Sequence, residues 1–374
     1  MVAPPFTDDM TMAYEVISTR LPFVYEALPT RVIFGSGARA SVHDEASRLN
    51  MKRILVLHGP PHVEIADVIA SQLGDRYAGT FSGARMHTPV AVTEEALLLV
   101  AQLQVDGLVA IGGGSTTGLA KALALRIDLP QIILPTTYAG SEMTPILGET
   151  MDGLKTTIRN AKVLPETVIY DIDLTLDLPA GLSGVSGMNA VAHAVEALYA
   201  TNANPVISAL ALQSIRSLVR ALPAIHVDPS NRGARADALY GAWLAGICLG
   251  SVGMALHHKL CHTLGGTFDL PHAETHAIVL PHALAYNAPA IPDVIAALAD
   301  ALGADNVPVA LQDVNRKIGA PRGLRELGMP EDGISRAVEL ALATPYQNPR
   351  PLTREGLHQL IARAYNGDLP ADVR

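Results

Sequence analysis

The chain has 374 residues, of which 49% are hydrophobic, enough to fill two ordinary domain cores. Its net charge of −9 and pI near 5.8 exclude a general nucleic-acid-binding or membrane-binding surface, because both need a broad basic face. Two cysteines exclude a disulfide framework, and no apolar run is long enough to span a bilayer or resembles a secretion signal. We therefore expect a cytoplasmic protein.

In the first half, β-branched runs alternate with helical stretches such as residues 96–105, a pattern typical of a parallel sheet with crossover helices. The predicted strands are RVIFG (31–35), RILVLHG (53–59), GLVAIGGG (107–114), QIILPTT (131–137) and TVIYD (167–171). We expect this half to be an α/β domain.

A glycine-rich turn follows the third predicted strand, with Gly113 and Gly114 leading into a helix that starts near Ser115. Such a turn lets a pyrophosphate approach the backbone and the positive end of the helix. It lacks the GxGxxG pattern, because Thr117 stands at the last glycine position, so a purely structural turn is an equal alternative.

The end of the next strand favours the functional interpretation of the turn. The stretch PTTYAGSE places Thr136, Thr137 and Ser141 at a second carboxyl strand end, where open parallel sheets bind ligands. These two loops predict a dinucleotide site. No acidic residue follows the second predicted strand, which ends in His58 and Gly59, so NADH and NADPH both remain open as cofactors.

Beyond Leu178 the composition becomes rich in Ala, Leu and Gly, which predicts a helical domain. The expected division is residues 1–178 and 179–374, with a linker-like stretch at 177–187. We expect one helix over 186–200, capped by Ser186, and a long helical segment over 233–264 that stops at Gly265 and Gly266. Residues 1–21 are uninformative.

Histidines concentrate in HHKLCHTLGGTFDLPHAETH, residues 257–276. On a helix His258 and His262 share a face, as do Asn189 and His193 on an earlier helix, and His272 follows Pro271 where the chain can bend back. The spacing is that of metal ligands, although an incidental cluster stays possible on residues alone. The remaining members of the stretch and a later histidine are expected to be ordinary surface or hydrogen-bonded residues: His257, His276 and His282.

The chain resembles the iron-containing alcohol dehydrogenase superfamily from RVIFGSGA through GGGS, PTT and the histidine-rich helix to LPHALAYN. The resemblance implies an α/β dinucleotide-binding domain followed by an all-helical domain, the dehydroquinate synthase-like fold, with the active site between them. His193, His258 and His272 match the family's metal-binding histidines, and His262 matches a nearby active-site histidine. Asn189 stands where the family has its only anionic ligand, an aspartate, so no metal is expected.

The strings GGGSTTGLAKALAL, PTTYAGSEMTPILGET and SGMNAVAHAVEALYA, with the histidine stretch, closely resemble maleylacetate reductases, a branch that has Asn at this position. This resemblance implies NADH- or NADPH-dependent reduction of the dicarboxylate 2-maleylacetate to 3-oxoadipate in aromatic-compound degradation, by a cytoplasmic homodimer. It adds Lys155 and Leu174 to the expected cofactor contacts. The expected catalytic residues are His193, His258, His262, His272 and Lys259. The expected substrate contacts are Asn189, Tyr138, Thr117 and Lys259. The expected cofactor contacts are Gly113, Gly114, Ser115, Thr117, Thr136, Thr137, Ser141, Lys155 and Leu174.

In the expected mechanism, hydride reaches the alkene carbon distal to the ketone, and negative charge develops on the ketone oxygen. Imidazoles of His258 and His262, helped by Lys259, would stabilise that charge, and the dianionic substrate would raise the pKa values of the clustered histidines. Two alternatives remain: a metal-dependent alcohol or polyol dehydrogenase, which metal analysis would reveal, and a dinucleotide-binding sensor, which would not oxidise NADH with maleylacetate.

Overall fold

A computed structural model describes residues 22–151 and 154–371, and the predictions for residues 1–21 lie outside this part. Within it, six parallel strands form a sheet in the order β1-β8-β5-β4-β2-β3. The strands are β1 Arg31–Gly35, β2 Ile54–His58, β3 Tyr77–Phe81, β4 Gly107–Gly112, β5 Gln131–Pro135 and β8 Thr167–Asp171; β6 Ile146–Met151 and β7 Leu154–Arg159 form a separate antiparallel hairpin. The five predicted strands are confirmed.

Strand β3 was missed because its sequence, YAGTF, is an edge strand with only Phe81 buried, so it lacks a continuous apolar run. By contrast, every residue of β2, β4, β5 and β8 is buried, as expected for parallel strands covered on both faces. The helices of this half are α1 Val42–Arg48, α2 Val63–Leu73, α3 Val90–Leu103 and α4 Gly114–Ile127.

After Asp171 the described chain contains helices and no further strand, which confirms the all-helical second half. The long helices are α5 Ala180–Leu198, α6 Pro205–Val227, α7 Arg232–Ser251, α8 Leu256–Phe268, α9 His272–Asn287, α10 Pro292–Leu302, α11 Val307–Lys317, α12 Gly333–Ala343 and α13 Arg354–Asn366. One cluster of buried apolar side chains includes Leu123 of α4 and Val191 of α5. The two halves share this core, and the division at residue 178 stays a prediction.

The predicted linker at 177–187 and the Ser186 cap are wrong. Helix α5 begins at Ala180, and Ser186 lies buried within it. The glycines that suggested a linker serve close packing instead. A Cβ atom on Gly184 would lie 2.9 Å from the Ile318 side chain, and one on Gly187 would lie 2.4 Å from Leu222. Small residues here let neighbouring helices approach α5.

The long helix predicted over 233–264 is also wrong, because α7 and α8 are separate helices joined by residues 252–255. Helix α8 runs past Gly265 and Gly266 to Phe268 and ends at Asp269, which adopts a left-handed conformation with φ 52°. The backbone N–H groups at this break find their hydrogen-bond acceptor on another helix. The Glu196 carboxylate accepts hydrogen bonds from the N–H groups of Ala255 and His257 at 2.9 and 2.7 Å. This partner is distant in sequence.

Taken singly, none of the helices among the described residues combines the length and apolarity needed to cross a membrane; two bent pairs pass on length and composition only when joined.

Candidate active site

The glycine-rich turn lies at the carboxyl edge of the sheet, where β4 and β5 end. Helix α4 begins there at Gly114, with no acidic residue in its first turn and no side-chain cap. A Cβ atom on Gly113 would lie 2.8 Å from the Thr137 side chain, so the two predicted loops are in direct contact. A helix N-terminus without a side-chain cap, next to glycine backbone that no side chain covers, is suited to binding a phosphate group.

The predicted cofactor contacts differ in how exposed they are to solvent. Gly113, Ser115, Thr137 and Ser141 are half-buried and Gly114 is exposed, so this set borders open space at the sheet edge. Thr117 and Thr136 are only 2% and 3% exposed, and the Thr136 hydroxyl pairs with the His62 ring at 3.1 Å. Leu174 packs in the apolar core beneath the sheet. The side chain of Lys155 lies outside the part that the structure describes.

Tyr138 does not fit its predicted role as a substrate contact. Its side chain is fully buried, and its hydroxyl accepts a hydrogen bond from buried Arg235 at 3.3 Å. Its backbone N–H donates to the Ser186 hydroxyl at 3.1 Å. Tyr138 therefore ties the loop after β5 to the helical half, and its hydroxyl is engaged before any substrate arrives.

The predicted histidines do come together, on α5, α8 and α9. The His193 Nδ1 and His258 Nε2 atoms are 2.7 Å apart and their rings stack at 4.8 Å. The His262 ring lies 6.3 Å from both the His258 and His272 rings, measured between centroids. His258 and His193 are about 5% and 4% exposed, whereas His262 is exposed and His272 half-buried. The last two therefore form the open side of the cluster.

Two further histidines, expected to be ordinary, are fully buried members of the same cluster. His257 Nε2 and His276 Nδ1 share a hydrogen bond of 2.9 Å, and the His276 ring lies 4.4 Å from that of His272. His282 is buried elsewhere in α9, so of the two expected alternatives the surface position does not apply to it. Hydrogen bonding was the correct alternative for His257 and His276.

The residue that sequence reasoning missed is Glu196. It is fully buried on α5, and its carboxylate lies 2.6 Å from His258 Nδ1. The same carboxylate accepts the N–H groups that begin α8, so it fixes both the helix and the ring orientation. Its position three residues after His193 was a usable signal, because residues at i and i+3 share a helix face.

Burial sets the charge of the deeper histidines. Burial, followed by the neighbouring imidazoles, holds the pKa values of His193, His257 and His276 well below the usual value of 6.5. These three rings are neutral near pH 7 in the free protein. They are therefore neutral neighbours of His258 and His262, to which the expected mechanism assigns charge stabilisation, and the Glu196 carboxylate faces His258.

The cofactor edge and the histidine cluster are joined by the β5–β6 loop, residues 136–145. A hydrogen bond with the Ala139 backbone raises the pKa of His193, opposing burial. Next to it, Gly140 has a left-handed φ of 78°, and a Cβ atom on Gly246 of α7 would lie 2.4 Å from the Gly140 carbonyl oxygen. One loop therefore contacts both parts of the site.

Lys259 follows His258 on α8, and its ammonium lies over the Tyr346 ring at 5.7 Å from the centroid. Tyr346 and Tyr199 border a cavity of about 790 Å³. The Tyr199 hydroxyl in turn donates to Glu196 at 3.4 Å. Lys259 thus contacts Tyr346 in the wall of this cavity, and its contact with substrate stays a prediction.

Comparison with known proteins places the chain in a family. Residues 29–172 match the model of iron-containing alcohol dehydrogenase, and residues 184–365 match that of the C-terminal part of the Fe-containing alcohol dehydrogenase family. The chain belongs to the iron-containing alcohol dehydrogenase family. It is accordingly an oxidoreductase with that family's fold.

Named relatives are similar over nearly the whole chain. Maleylacetate reductase from Sphingobium indicum is 55% identical over 347 residues, 93% of this chain and 98% of that protein. The crystal structure of maleylacetate reductase from Rhizobium sp. is 50% identical, with a TM-score of 0.91, covering 94% of this chain and 100% of that one. Sulfoacetaldehyde reductase from Bifidobacterium kashiwanohense, solved with NAD+, is 22% identical, covers 93% and 100% of the two chains, and shares the fold with a TM-score of 0.86.

The family name implies a divalent metal, and the residues here fit one poorly. Asn189 replaces the anionic ligand, and its buried Oδ1 has no hydrogen-bond partner among the described residues. The His193 Nδ1 and His258 Nε2 atoms share a proton at 2.7 Å, whereas nitrogen ligands about 2.0–2.1 Å from a tetrahedral zinc ion stand farther apart. The donors are themselves neutral, so the ion would have no anionic ligand.

A second group within reach of one ion comprises His257, Cys261 and His276. All three side chains are buried, and His276 Nε2 has no hydrogen-bond partner among the described residues. The two imidazoles share a hydrogen bond, and burial raises the pKa of the Cys261 thiol well above its usual value, which opposes the thiolate that a metal needs.

Proposed function

We propose that this protein catalyses the NADH- or NADPH-dependent reduction of 2-maleylacetate to 3-oxoadipate, without a bound metal. The observation that supports the proposal is the position of Asn189, which lies in a buried histidine cluster beside the Glu196 carboxylate. The chain is also 55% identical to a maleylacetate reductase. The N-terminus of α4 and the β5–β6 loop would hold the cofactor, with its nicotinamide toward the cluster.

The reaction adds one hydride and one proton across an alkene, which is two electrons and two protons in total. The cofactor, held by the N-terminus of α4 and the β5–β6 loop, would supply a hydride to the alkene carbon distal to the ketone, and the π electrons would move to the ketone oxygen as an enolate. A proton then adds to the carbon beside the ketone, and the C=O bond reforms. The protein has to stabilise one oxygen anion and deliver one proton.

The open histidines are suited to these tasks. His262 and His272 are the accessible members of the cluster, and imidazole titrates near neutral pH. His258 is more enclosed, with Glu196 on Nδ1 and His193 on Nε2. We assign the proton-donor role to His262, with the hydrogen-bonded His258–Glu196 pair behind it.

The test is the loss of reduced nicotinamide absorbance on adding maleylacetate, with each cofactor and with a chelator. We expect turnover that the chelator leaves unchanged. The His262→Asn variant should turn over about a hundredfold slower with its melting temperature retained. Exposed His43 on α1 provides a matched control as His43→Asn, with wild-type activity. No oxidation of either cofactor by the wild type would refute the proposal.

The second candidate is a metal-dependent alcohol or polyol dehydrogenase. The unpartnered Asn189 Oδ1 favours it, since an amide oxygen is able to ligate a metal. Stoichiometric iron or zinc, with alcohol oxidation abolished by chelator, would establish this alternative.

We further propose that the enzyme works as a homodimer. Strand β1 is a sheet edge on which Phe34 is 37% exposed, and the preceding Phe23 and Val24 are 42% and 90% exposed. Light scattering after size-exclusion chromatography tests this; a monomer across the assay concentrations would refute it.

A further inference from the structure

Lys121 is a buried cation in the second turn of α4, the helix that begins at the glycine-rich turn. Its side chain is 1% exposed, and its ammonium points into the β5–β6 loop. It donates to the carbonyl oxygens of Ser141, Thr144 and Ile146, the last two at 2.7 and 3.0 Å, and contacts the Thr144 hydroxyl oxygen at 3.0 Å.

This arrangement supports a charged amine despite its burial. An ammonium offers three N–H donors, and three carbonyl oxygens face it; a neutral amine would turn a lone pair toward one of them. Burial lowers the pKa of Lys121 to about 7, and the nearby carboxyl of Glu142 opposes that shift. Glu142 is itself buried and accepts a hydrogen bond from Tyr170 at 2.7 Å.

The β5–β6 loop, to which Lys121 donates its hydrogen bonds, is the segment that joins the cofactor edge to the histidine cluster. Ser141 is an expected cofactor contact, and Ala139 hydrogen-bonds with His193. Without the ammonium, three carbonyl oxygens of this turn would lose their buried partner, which is costly in a low-dielectric interior. The position of the loop therefore depends on a cation held by the phosphate-facing helix.

We propose that Lys121 is a positioning residue that fixes the β5–β6 loop so that cofactor bound at the N-terminus of α4 meets the histidine cluster in a productive geometry. The inference rests on the proposed cofactor site. It goes beyond the proposed function because it assigns the coupling of the two halves to a residue that contacts neither substrate nor the histidines.

Arg126 provides a matched control on the same helix. It donates to Glu149 of β6 at 2.9 Å and so forms a second tether from α4 to the hairpin, at the far end of the helix from the glycine-rich turn. Methionine at either position keeps an unbranched apolar side chain and removes the positive charge.

The experiment measures NADH affinity by fluorescence, and kcat and KM for both substrates, in wild type, Lys121→Met and Arg126→Met. We expect Lys121→Met to lower kcat/KM for NADH by about tenfold to a hundredfold and to weaken NADH binding, because small displacements of positioned groups have effects of this size. KM for maleylacetate and all constants of Arg126→Met should stay near wild type.

Equal losses in both variants would show that Lys121 only stabilises the fold and would overturn the inference, as would wild-type NADH binding and turnover in Lys121→Met. If Lys121→Met does not fold, Thr144→Val removes one of the four oxygens and should shift the same constants in the same direction; unchanged constants would overturn the inference. Wild-type protein that binds NADH without reducing maleylacetate would refute the proposed reaction, while the binding comparison still decides the role of Lys121.

Discussion

The Glu196 carboxylate lies 2.6 Å from Nδ1 of His258, and both side chains are buried. Because Nδ1 is held by the carboxylate, the ring presents Nε2 toward His193. The same acid accepts the backbone N–H groups at the start of α8. One side chain thus sets where the histidine-bearing helix begins and how its first functional ring is oriented.

Glu196→Gln is expected to lower both activity and stability. The amide oxygen is still able to accept backbone hydrogen bonds, but the charge opposite His258 is lost. Breaking a buried charge pair costs about 3–5 kcal/mol of unfolding free energy, and we expect a loss near the lower end because the shape is kept. Urea unfolding and kcat check this. Glu149→Gln, a change at another buried acid, should keep kcat; an equal loss of kcat there would contradict a special role for Glu196.

Asn189→Asp is expected to create metal affinity and reduce maleylacetate turnover. The new carboxylate supplies the missing anionic ligand beside three imidazoles, and it would also repel the dianionic substrate. Metal content after incubation with zinc, together with kcat, checks this. Asn204→Asp is the control, because Asn204 is a buried helix cap where aspartate serves equally. Higher reductase activity in zinc-loaded Asn189→Asp would contradict the advantage of a metal-free pocket.

Stability is expected to fall as the pH drops below about 6.5. Burial lowers the pKa of His282 to about 4, so the unfolded chain binds a proton at a pH where the folded chain does not. The contribution of neutral His282 to the unfolding free energy is fully present above the pKa of histidine in the unfolded chain. It is lost progressively as the pH falls from 6.5 toward 4. At about 1.36 kcal/mol per pKa unit, this one residue contributes ~3 kcal/mol to that loss.

The measurement is the urea unfolding free energy at several pH values, followed by the fluorescence of the single tryptophan, Trp243. His282→Gln should flatten the pH dependence, and His43→Gln, at an exposed position, should not. His193, His257 and His276 act in the same direction, so a residual slope is expected in His282→Gln. Stability that rises on acidification would contradict the neutral, buried state of these rings.

Gly246→Ala is expected to displace the β5–β6 loop and reduce turnover. The added methyl group would lie 2.4 Å from the Gly140 carbonyl oxygen, so the loop has to move. Overpacking of this kind typically costs about 1–3 kcal/mol. Melting temperature and kcat/KM for NADH check this. At Gly181, on α5, an added Cβ meets nothing within 4 Å among the described residues, so Gly181→Ala should retain activity.

Much of the fold could be read from local patterns. The runs RVIFG and TVIYD are strands with the predicted bounds, since both are short β-branched or aromatic segments; TVIYD is fully buried, whereas RVIFG lies at the sheet edge. The glycine-rich turn and the spacing of His258 from His262 also indicated the two parts of the site, because helix periodicity fixes which residues share a face. Such features depend on residues close together in the chain.

Tertiary structure decided what depends on partners far along the chain. Gly184 and Gly187 looked like linker glycines, and only the side chains of Ile318 and Leu222 show that they serve helix packing. The break between α7 and α8 depends on Glu196, about sixty residues earlier, and the burial of Lys121 depends on carbonyl groups of a later loop. The sequence indicated the candidate site residues except Glu196; the fold determined which of them are buried, neutral or accessible, because burial and distant hydrogen-bond partners control ionisation.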